Sequence, residues 1–212
     1  MELNGINTKG TKMLNMDATF DTDLCQSRED KIEQISFHFK KIMQVLNLDL
    51  NDPSLKDTPN RVAKMYVDEV FKGLNKDNFP KISLFNNDYS YDEMIIVNDI
   101  TLFSYCEHHF VPFIGKVHVA YYPNKKVIGL SKINRVIDFI SKKPQVQERL
   151  TVEIAYILSE LLETEHVAVY IEAKHLCVAS RGVKDTNSLT KTGYYLGKFK
   201  SKEVKREFFE SF

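Results

Sequence analysis

Between residues 94 and 199 the apolar residues switch from strand spacing to helix spacing and back. Met94 to Tyr105 contains MIIV and TLFSY, and Ile114 to Tyr122 reads IGKVHVAYY. Both runs are rich in β-branched and aromatic residues and predict strands. A turn is expected between them at Phe113 to Gly115, and Pro123-Asn124 ends the second run. Two helical stretches follow, over about 131–142 and 146–163, separated by Pro144. The second carries Leu150, Ile154, Ile157, Leu158, Leu161 and Leu162 at helical spacing. Val167 to Val178 returns to strand, and Ser188 to Phe199 is a weaker strand candidate. The order ββααββ argues an α+β fold, an antiparallel sheet with two helices on one face.

Two helices are expected ahead of this unit. Ile32, Ile35, Phe39, Ile42, Met43 and Leu46 form one apolar stripe over 28–48, which Asn51-Asp52-Pro53 breaks. In the second helix Thr58 is suited to the N-cap and Pro59 to the first helical position. Val62, Met65, Tyr66 and Phe71 supply an inward face, and Gly73 reads as a stop. Residues 75–92, rich in Asn, Asp, Pro and Lys, read as a connecting loop. The chain therefore divides into a polar, flexible arm over 1–27, a helical region over 28–92 and a catalytic domain over 93–212.

Charge excludes several functions. Lys plus Arg and Asp plus Glu both number 29, so the net charge is zero. No general electrostatic grip on nucleic acid or on an anionic membrane is expected. No apolar run approaches the roughly 18 residues that span a bilayer, and the first residues do not resemble a signal peptide. Three cysteines are too few for a disulfide framework, which points to a reducing cytoplasm with thiols available to metal. Cys25 reads as an incidental residue.

The other two cysteines stand beside histidines. Cys106-Glu107-His108-His109 is one cluster and His175-Leu176-Cys177 the other. A Cys-x-x-His step can bend around one ion. His175 and Cys177 are two apart on an expected strand, so both point to one face, and either is a candidate third ligand. Cys106, His109 and Cys177 would form a Cys₂His site with one open position, as catalytic zinc requires. His108 and His175 would then act near the metal as acid, base or supporting groups. The zinc deaminase and H-E-x-x-H patterns are absent.

Basic residues mark a possible anion site. Gly129-Leu130-Ser131-Lys132 leads into a helix with Ser131 as expected N-cap, and a helix N-terminus favours an anion. Lys132 and Arg135 are three apart, Arg61 and Lys64 repeat the spacing, and Arg181 follows Cys177 by four residues. Five such groups suggest a phosphate clamp, although each pair alone also suits a solvated helix face. There is no Walker-type loop. Gln147 and Glu148 open the long helix. A carboxylate beside an amide can read the donor edge of a purine, or can simply favour a helix start.

Five segments together resemble the GTP cyclohydrolase I family. They are DTPNRVAKMYVDEVFKGL, DITLFSYCEHHFVPFIGKVHVAYYP, VIGLSKINRVIDFI, KPQVQERLT and IEAKHLCVASRGVKDT, extending from about residue 57 to 186. The resemblance implies the tunnelling fold, with a ββααββ unit assembled into a barrel. It also implies a homodecamer of two pentamers with active sites at subunit interfaces. Such assembly would pair the exposed edges of a small sheet.

Carried over by position, the resemblance makes Cys106, His109 and Cys177 the zinc ligands and His108 and His175 the catalytic histidines. Gln147 and Glu148 would recognise guanine. Ser131, Lys132, Arg135, Arg61, Lys64 and Arg181 would hold the ribose-triphosphate, some of them from a neighbouring subunit. The implied reaction converts GTP and water to 7,8-dihydroneopterin triphosphate and formate, the first step of tetrahydrofolate and pterin biosynthesis. It would run by zinc-activated water attack on C8, ring opening and an Amadori-type rearrangement. Two positions depart from common family wording. Ser141-Lys142-Lys143 stands where arginine is frequent, and Thr192-Gly193-Tyr194-Tyr195 where small residues are.

Overall fold

The computed structural model of the chain describes residues 26–212. The expected arm over 1–27, with Cys25, lies outside these apart from its last two residues. One of those, Ser27, caps the first helix. Its side chain accepts from the Asp30 N–H, and Asp30 reaches back to the Ser27 N–H, closing a capping box.

Helix α1 spans Arg28–Val45. Ile32, Ile35 and Phe39 are half-buried and Met43 is buried. The expected stripe is narrower than its apolar residues, since Ile42 and Leu46 stay exposed. Arg28 grips Asp68 with two hydrogen bonds, Nε to Oδ1 at 2.7 Å and Nη2 to Oδ2 at 2.6 Å. That ties α1 to the next helical segment.

Helix α2 is Thr58–Lys64 and runs on as a π-helical turn over Met65–Val70. Asp57, not Thr58, holds the cap position, so Thr58 is the first helical residue and Pro59 the second. The early N–H groups have no helical partner, so proline is harmless at either place. Gly73 lies in a short 3₁₀ turn, Lys72–Leu74, and its role is contact. Its N–H donates to the Lys142 carbonyl at 2.8 Å. A methyl group there would collide with the carbonyl oxygens of Phe139 and Lys142.

The expected loop over 75–92 contains a further 3₁₀ turn and a short strand β1, Leu84–Asn86. It pairs antiparallel with β4, Lys126–Ile128. The main sheet contains β2 (Ile95–Cys106), β3 (Pro112–Tyr121), β5 (Pro144–Gln145), β6 (Val167–His175) and β7 (Thr190–Tyr195). Their order is β5-β2-β3-β6-β7, antiparallel except for the two-residue parallel pairing of β5 with β2. Helices α3 (Leu130–Ser141) and α4 (Gln147–Leu162) separate the two halves, as the ββααββ order predicts. The architecture is that of the tunnelling fold.

Side-chain parity explains the layers. Val117, Val119 and Tyr121 of β3 and Val167, Val169 and Ile171 of β6 are buried against α3 and α4. Leu150, Ile154, Leu158 and Leu162 give α4 its buried face, each fully buried leucine or isoleucine contributing about 1.5–3 kcal/mol. The alternate residues Ala120, Tyr122 and Ala168 face the other way. They meet Phe199 and Phe208, the latter on a C-terminal helix α6 (Lys202–Phe209) that periodicity did not reveal. Strand β2 keeps its apolar side inward through a bulge between Val97 and Ile100, where Asp99 takes φ 56°. The extra residue flips the parity, so Ile100, Leu102 and Cys106 all face the helices.

The turn expected at Phe113 to Gly115 falls earlier. Phe113 and Gly115 lie inside β3, and the chain reverses over Glu107–Phe110. The Phe110 N–H donates to the Cys106 carbonyl at 2.8 Å and the Cys106 N–H to the Val111 carbonyl at 3.0 Å. The Cys–His cluster is thus the β2–β3 hairpin turn itself. Strand β6 also stops early: His175 is its last residue, and Leu176–Ala179 forms a short helix α5.

Candidate metal centre and active site

Turn geometry gathers the ligand candidates. Phe110 carries φ 53°, a region that bulky L-residues rarely enter. Its ring is held by Phe71 at 5.0 Å and Tyr66 at 6.2 Å between centroids. The N-terminal helical region therefore braces the turn. At its start Cys106 is 7% exposed. Its Sγ lies 3.6 Å from Nδ1 of His108 and 4.0 Å from Nδ1 of His109.

The third candidate arrives from α5. Ligand atoms of Cys106, His109 and Cys177 lie within 4.8 Å of one another. Strand alternation does not put His175 and Cys177 on one face, because the strand ends between them. The helical turn brings Cys177 to the cluster, while His175 stays on the strand. Burial pushes the Cys177 thiol up, and the neighbouring Cys106 adds to this, while Arg181 opposes it. The donor set fits a thiophilic divalent ion, because two thiols and an imidazole are borderline-soft ligands.

His175 is fixed from two sides. Its ring stacks on its cross-strand partner Phe113, centroids 4.7 Å apart at 10°. Its Nε2 donates to Oε1 of Gln147 at 2.8 Å. Gln147 in turn donates Nε2 to the Ile171 carbonyl, the Thr190 carbonyl and Thr192 Oγ1, at 3.2, 3.0 and 3.1 Å. Those three acceptors orient the amide and leave His175 Nδ1 as its unprotonated nitrogen. Burial lowers the His175 pKa below the usual imidazole range, and the Glu148 carboxylate pulls it partly back.

Gln147 is thus turned into the protein, whereas Glu148 is exposed in the first turn of α4. Thr192 accounts for one family departure. It bonds both Gln147 and Thr151 Oγ1, the latter at 2.7 Å, while Tyr194 bonds Tyr156 at 2.9 Å. These contacts dock β7 onto α4.

The basic residues divide. Arg181 joins the cluster, its Nη1 donating to Nε2 of His109 at 3.0 Å. Arg61 is exposed beside Asp57 at 4.0 Å, and Lys64 and Arg135 are also exposed. Ser131 is the second residue of α3, since Gly129 holds the cap position without a side-chain bond. Among the described residues no hydrogen bond or ion pair joins Ser131, Lys132, Arg135, Arg61 or Lys64 to the Cys–His turn. One chain therefore holds the metal candidates together but leaves most of the anion candidates apart. The sequence pointed to no functional part for Phe110, Phe113 or Arg149. Of these, only Arg149 carries a visible signal, as a charged residue in the first turn of a helix with a largely apolar face.

Thiols and an imidazole drawn from two separate turns, with only three protein donors among the described residues, form a metal-binding arrangement. Fold and site together define a candidate metalloenzyme of the tunnelling-fold class. The family model for GTP cyclohydrolase I matches residues 35–212, and the chain belongs to that family. A protein of Flavobacterium johnsoniae named GTP cyclohydrolase 1 is 53% identical over 182 residues, covering 86% of this chain and 82% of its own. Similar proteins of the same name occur in Wigglesworthia glossinidia brevipalpis and Haemophilus influenzae. The first is 54% identical over 88% of this chain and 87% of its own, the second 50% over 88% and 86%.

Proposed function

We propose that the Cys–His centre carries the family's reaction, in which GTP and water become 7,8-dihydroneopterin triphosphate and formate. The convergence of Cys106, His109 and Cys177 within 4.8 Å, beside the fixed His175, is the observation that carries this reading. Cys106, His109 and Cys177 would hold zinc. When bound, zinc supplies Lewis acidity and lowers the pKa of water toward neutrality.

The protein's own groups then have separable tasks. His175, half-buried and with its pKa lowered by desolvation, is neutral near pH 7 and offers Nδ1 as a proton acceptor. His108, 64% exposed at its side chain and with Nδ1 3.6 Å from Cys106 Sγ, is the second group placed for proton transfer. Proton transfers of this kind are needed for imidazole ring opening, formamide hydrolysis and the Amadori-type rearrangement. The exposed Glu148 carboxylate accepts from the N–H edge of guanine, with Gln147 holding the helix start and His175 behind it. Arg181 offers charge-assisted hydrogen bonds to phosphate oxygens.

Ser131, Lys132, Arg135, Arg61 and Lys64 complete the triphosphate grip across subunit boundaries in this reading, within a decamer of two pentamers. Exposed apolar residues on α1 support assembly, with Phe37 56%, Ile42 53% and Val45 81% exposed. So does the open edge of β7. The division into a helical region over 28–92 docked on a catalytic domain over 93–212 belongs to the same proposal. So does a cytoplasmic location, supported by the free thiols of Cys106 and Cys177. No helix among the described residues is long and apolar enough to cross a membrane.

The deciding experiment incubates zinc-loaded, assembled protein with GTP and measures formate and the fluorescent pterin formed on oxidation. Equal amounts of both support the proposal. Neither product from metal-replete protein overturns it.

A further inference from the structure

A buried ion pair lies behind the metal turn and takes no part in the chemistry described so far. Lys143 is 3% exposed and Glu153 4%, with Lys143 Nζ 2.9 Å from Glu153 Oε2. Buried charges persist where they are paired and further hydrogen-bonded. Here the pair continues outward. Gln145, fully buried, donates Nε2 to the same Glu153 oxygen at 2.8 Å and to the Ile140 carbonyl at 3.3 Å. Its Oε1 accepts from Arg149 Nε at 2.9 Å. Arg149 Nη2 donates to Glu107 Oε2 at 2.5 Å and to the Pro144 carbonyl at 3.1 Å.

Glu107 sits between Cys106 and His108. Its N–H donates to the Gln145 carbonyl at 3.0 Å, and its Oε1 is 3.9 Å from Nε2 of His108. A continuous polar chain thus runs from Lys143 in the core through Glu153, Gln145 and Arg149 to the tip of the hairpin. Arg149 has its Nε hydrogen and both Nη2 hydrogens committed to protein acceptors. That is the disposition of a group that holds another side chain.

We propose that Arg149 and Glu107 are positioning residues for the reaction. They fix the orientation of the turn that carries Cys106, His108 and His109, and the buried Lys143–Glu153 pair fixes Arg149 through Gln145. The inference rests on the reading of that turn as metal and proton-transfer site. It adds a separate claim, that the turn is aimed by a relay rooted in the core. A turn with φ 53° at Phe110 has no local preference for its geometry, so an external restraint is needed. Lys143, the last residue of the Ser141-Lys142-Lys143 stretch, also gains a role: its buried ammonium anchors the relay.

The test compares wild type with Arg149→Met, Arg149→Lys, Glu107→Gln and the double variant Glu107→Gln/Arg149→Met, all zinc-loaded. Steady-state kinetics with GTP, melting temperature and the rate of zinc loss to a chelator are measured. A misaimed turn lowers kcat about 10- to 100-fold with little change in KM. Arg149→Met is expected to do this and to release zinc faster, Arg149→Lys to recover part of the loss, and the double variant to be no worse than Arg149→Met. Multiplying losses in the double variant would overturn the relay. So would a raised KM at unchanged kcat, which would make Arg149 a substrate contact. A lowered melting temperature with unchanged kcat and zinc release would make it structural only. Wild type without formate production would instead overturn the underlying functional reading, while zinc release would still report on the relay.

Discussion

His175 Nε2 donates to Gln147 Oε1 at 2.8 Å, and three acceptors hold the Gln147 amide nitrogen. The histidine is therefore oriented by a residue that itself has no freedom. Replacing Gln147 by Leu strands the Ile171 and Thr190 carbonyls and frees the imidazole to turn. Each stranded buried group costs about 1–3 kcal/mol. Gln147→Leu should lower the melting temperature and reduce kcat about 100-fold, since general-base contributions of about 100- to 10,000-fold depend on orientation. Unchanged kcat in the folded variant would remove His175 from the chemistry.

Cys177 reaches the cluster only through the helical turn of α5. Cys177→Ser leaves two strong ligands, so zinc stoichiometry and formate production should fall together. Metal analysis and turnover on the same preparation check this. Full zinc with near-normal turnover would assign the third ligand elsewhere, His175 being the other candidate.

Glu148 is exposed in the first turn of α4 and pulls the lowered pKa of His175 partly back up, while Gln147 is buried. Guanine presents N–H donors where adenine lacks them, so a carboxylate there discriminates between the two. Glu148→Gln should raise KM for GTP at least tenfold and narrow the preference for GTP over ATP. Competition kinetics with both nucleotides measure it, and an unchanged preference would dismiss the role.

Elements built on periodicity were legible in the sequence. Helices expected over 131–142 and 146–163 span Leu130–Ser141 and Gln147–Leu162. The metal candidates were legible because cysteine and histidine cluster in so few places. The hairpin turn was not, and the reason is physical. Gly115 looks like a turn residue, yet it lies in β3 opposite Ala173 of β6, where a side chain would strike the Glu172 carbonyl. The true turn relies on Phe110 in a left-handed conformation, which no residue preference announces. The relay from Lys143 to Glu107 was equally hidden, since it joins β2, β5 and α4 only once they pack.

Gly73 makes its own prediction. Its N–H meets the Lys142 carbonyl, and the space for a side chain is filled by the Phe139 and Lys142 carbonyl oxygens. Backbone atoms cannot turn aside as a flexible side chain would. Gly73→Ala should cost about 1–3 kcal/mol and loosen the segment whose Tyr66 and Phe71 brace Phe110. A thermal melt shows the first effect, and faster amide exchange at Phe110 shows the second. A melt unchanged from wild type would mean that the contact yields easily.

His118 provides the pH test. It is 3% exposed, stacked on Phe212 at 3.9 Å and 19°, and its Nδ1 accepts from the Asp99 N–H at 3.4 Å. Its Nε2 is buried with no hydrogen-bond partner among the described residues. Burial holds the imidazole below its ordinary pKa; Asp99 and Glu172 pull it up, and Lys116 pushes it down. The unfolded chain therefore binds the proton first as pH falls through about 6.5. Between that value and the lower folded pKa the unfolded state carries more protons, so stability is full above the window and declines within it. His118→Phe keeps the ring stacking and removes both the titration and the unpaired nitrogen. Its melting temperature should fall less than that of wild type between about pH 7.5 and pH 5.5, by a few degrees. The two proteins differ at this residue alone, so the difference between their curves isolates His118, and parallel curves would show that its proton is not coupled to folding.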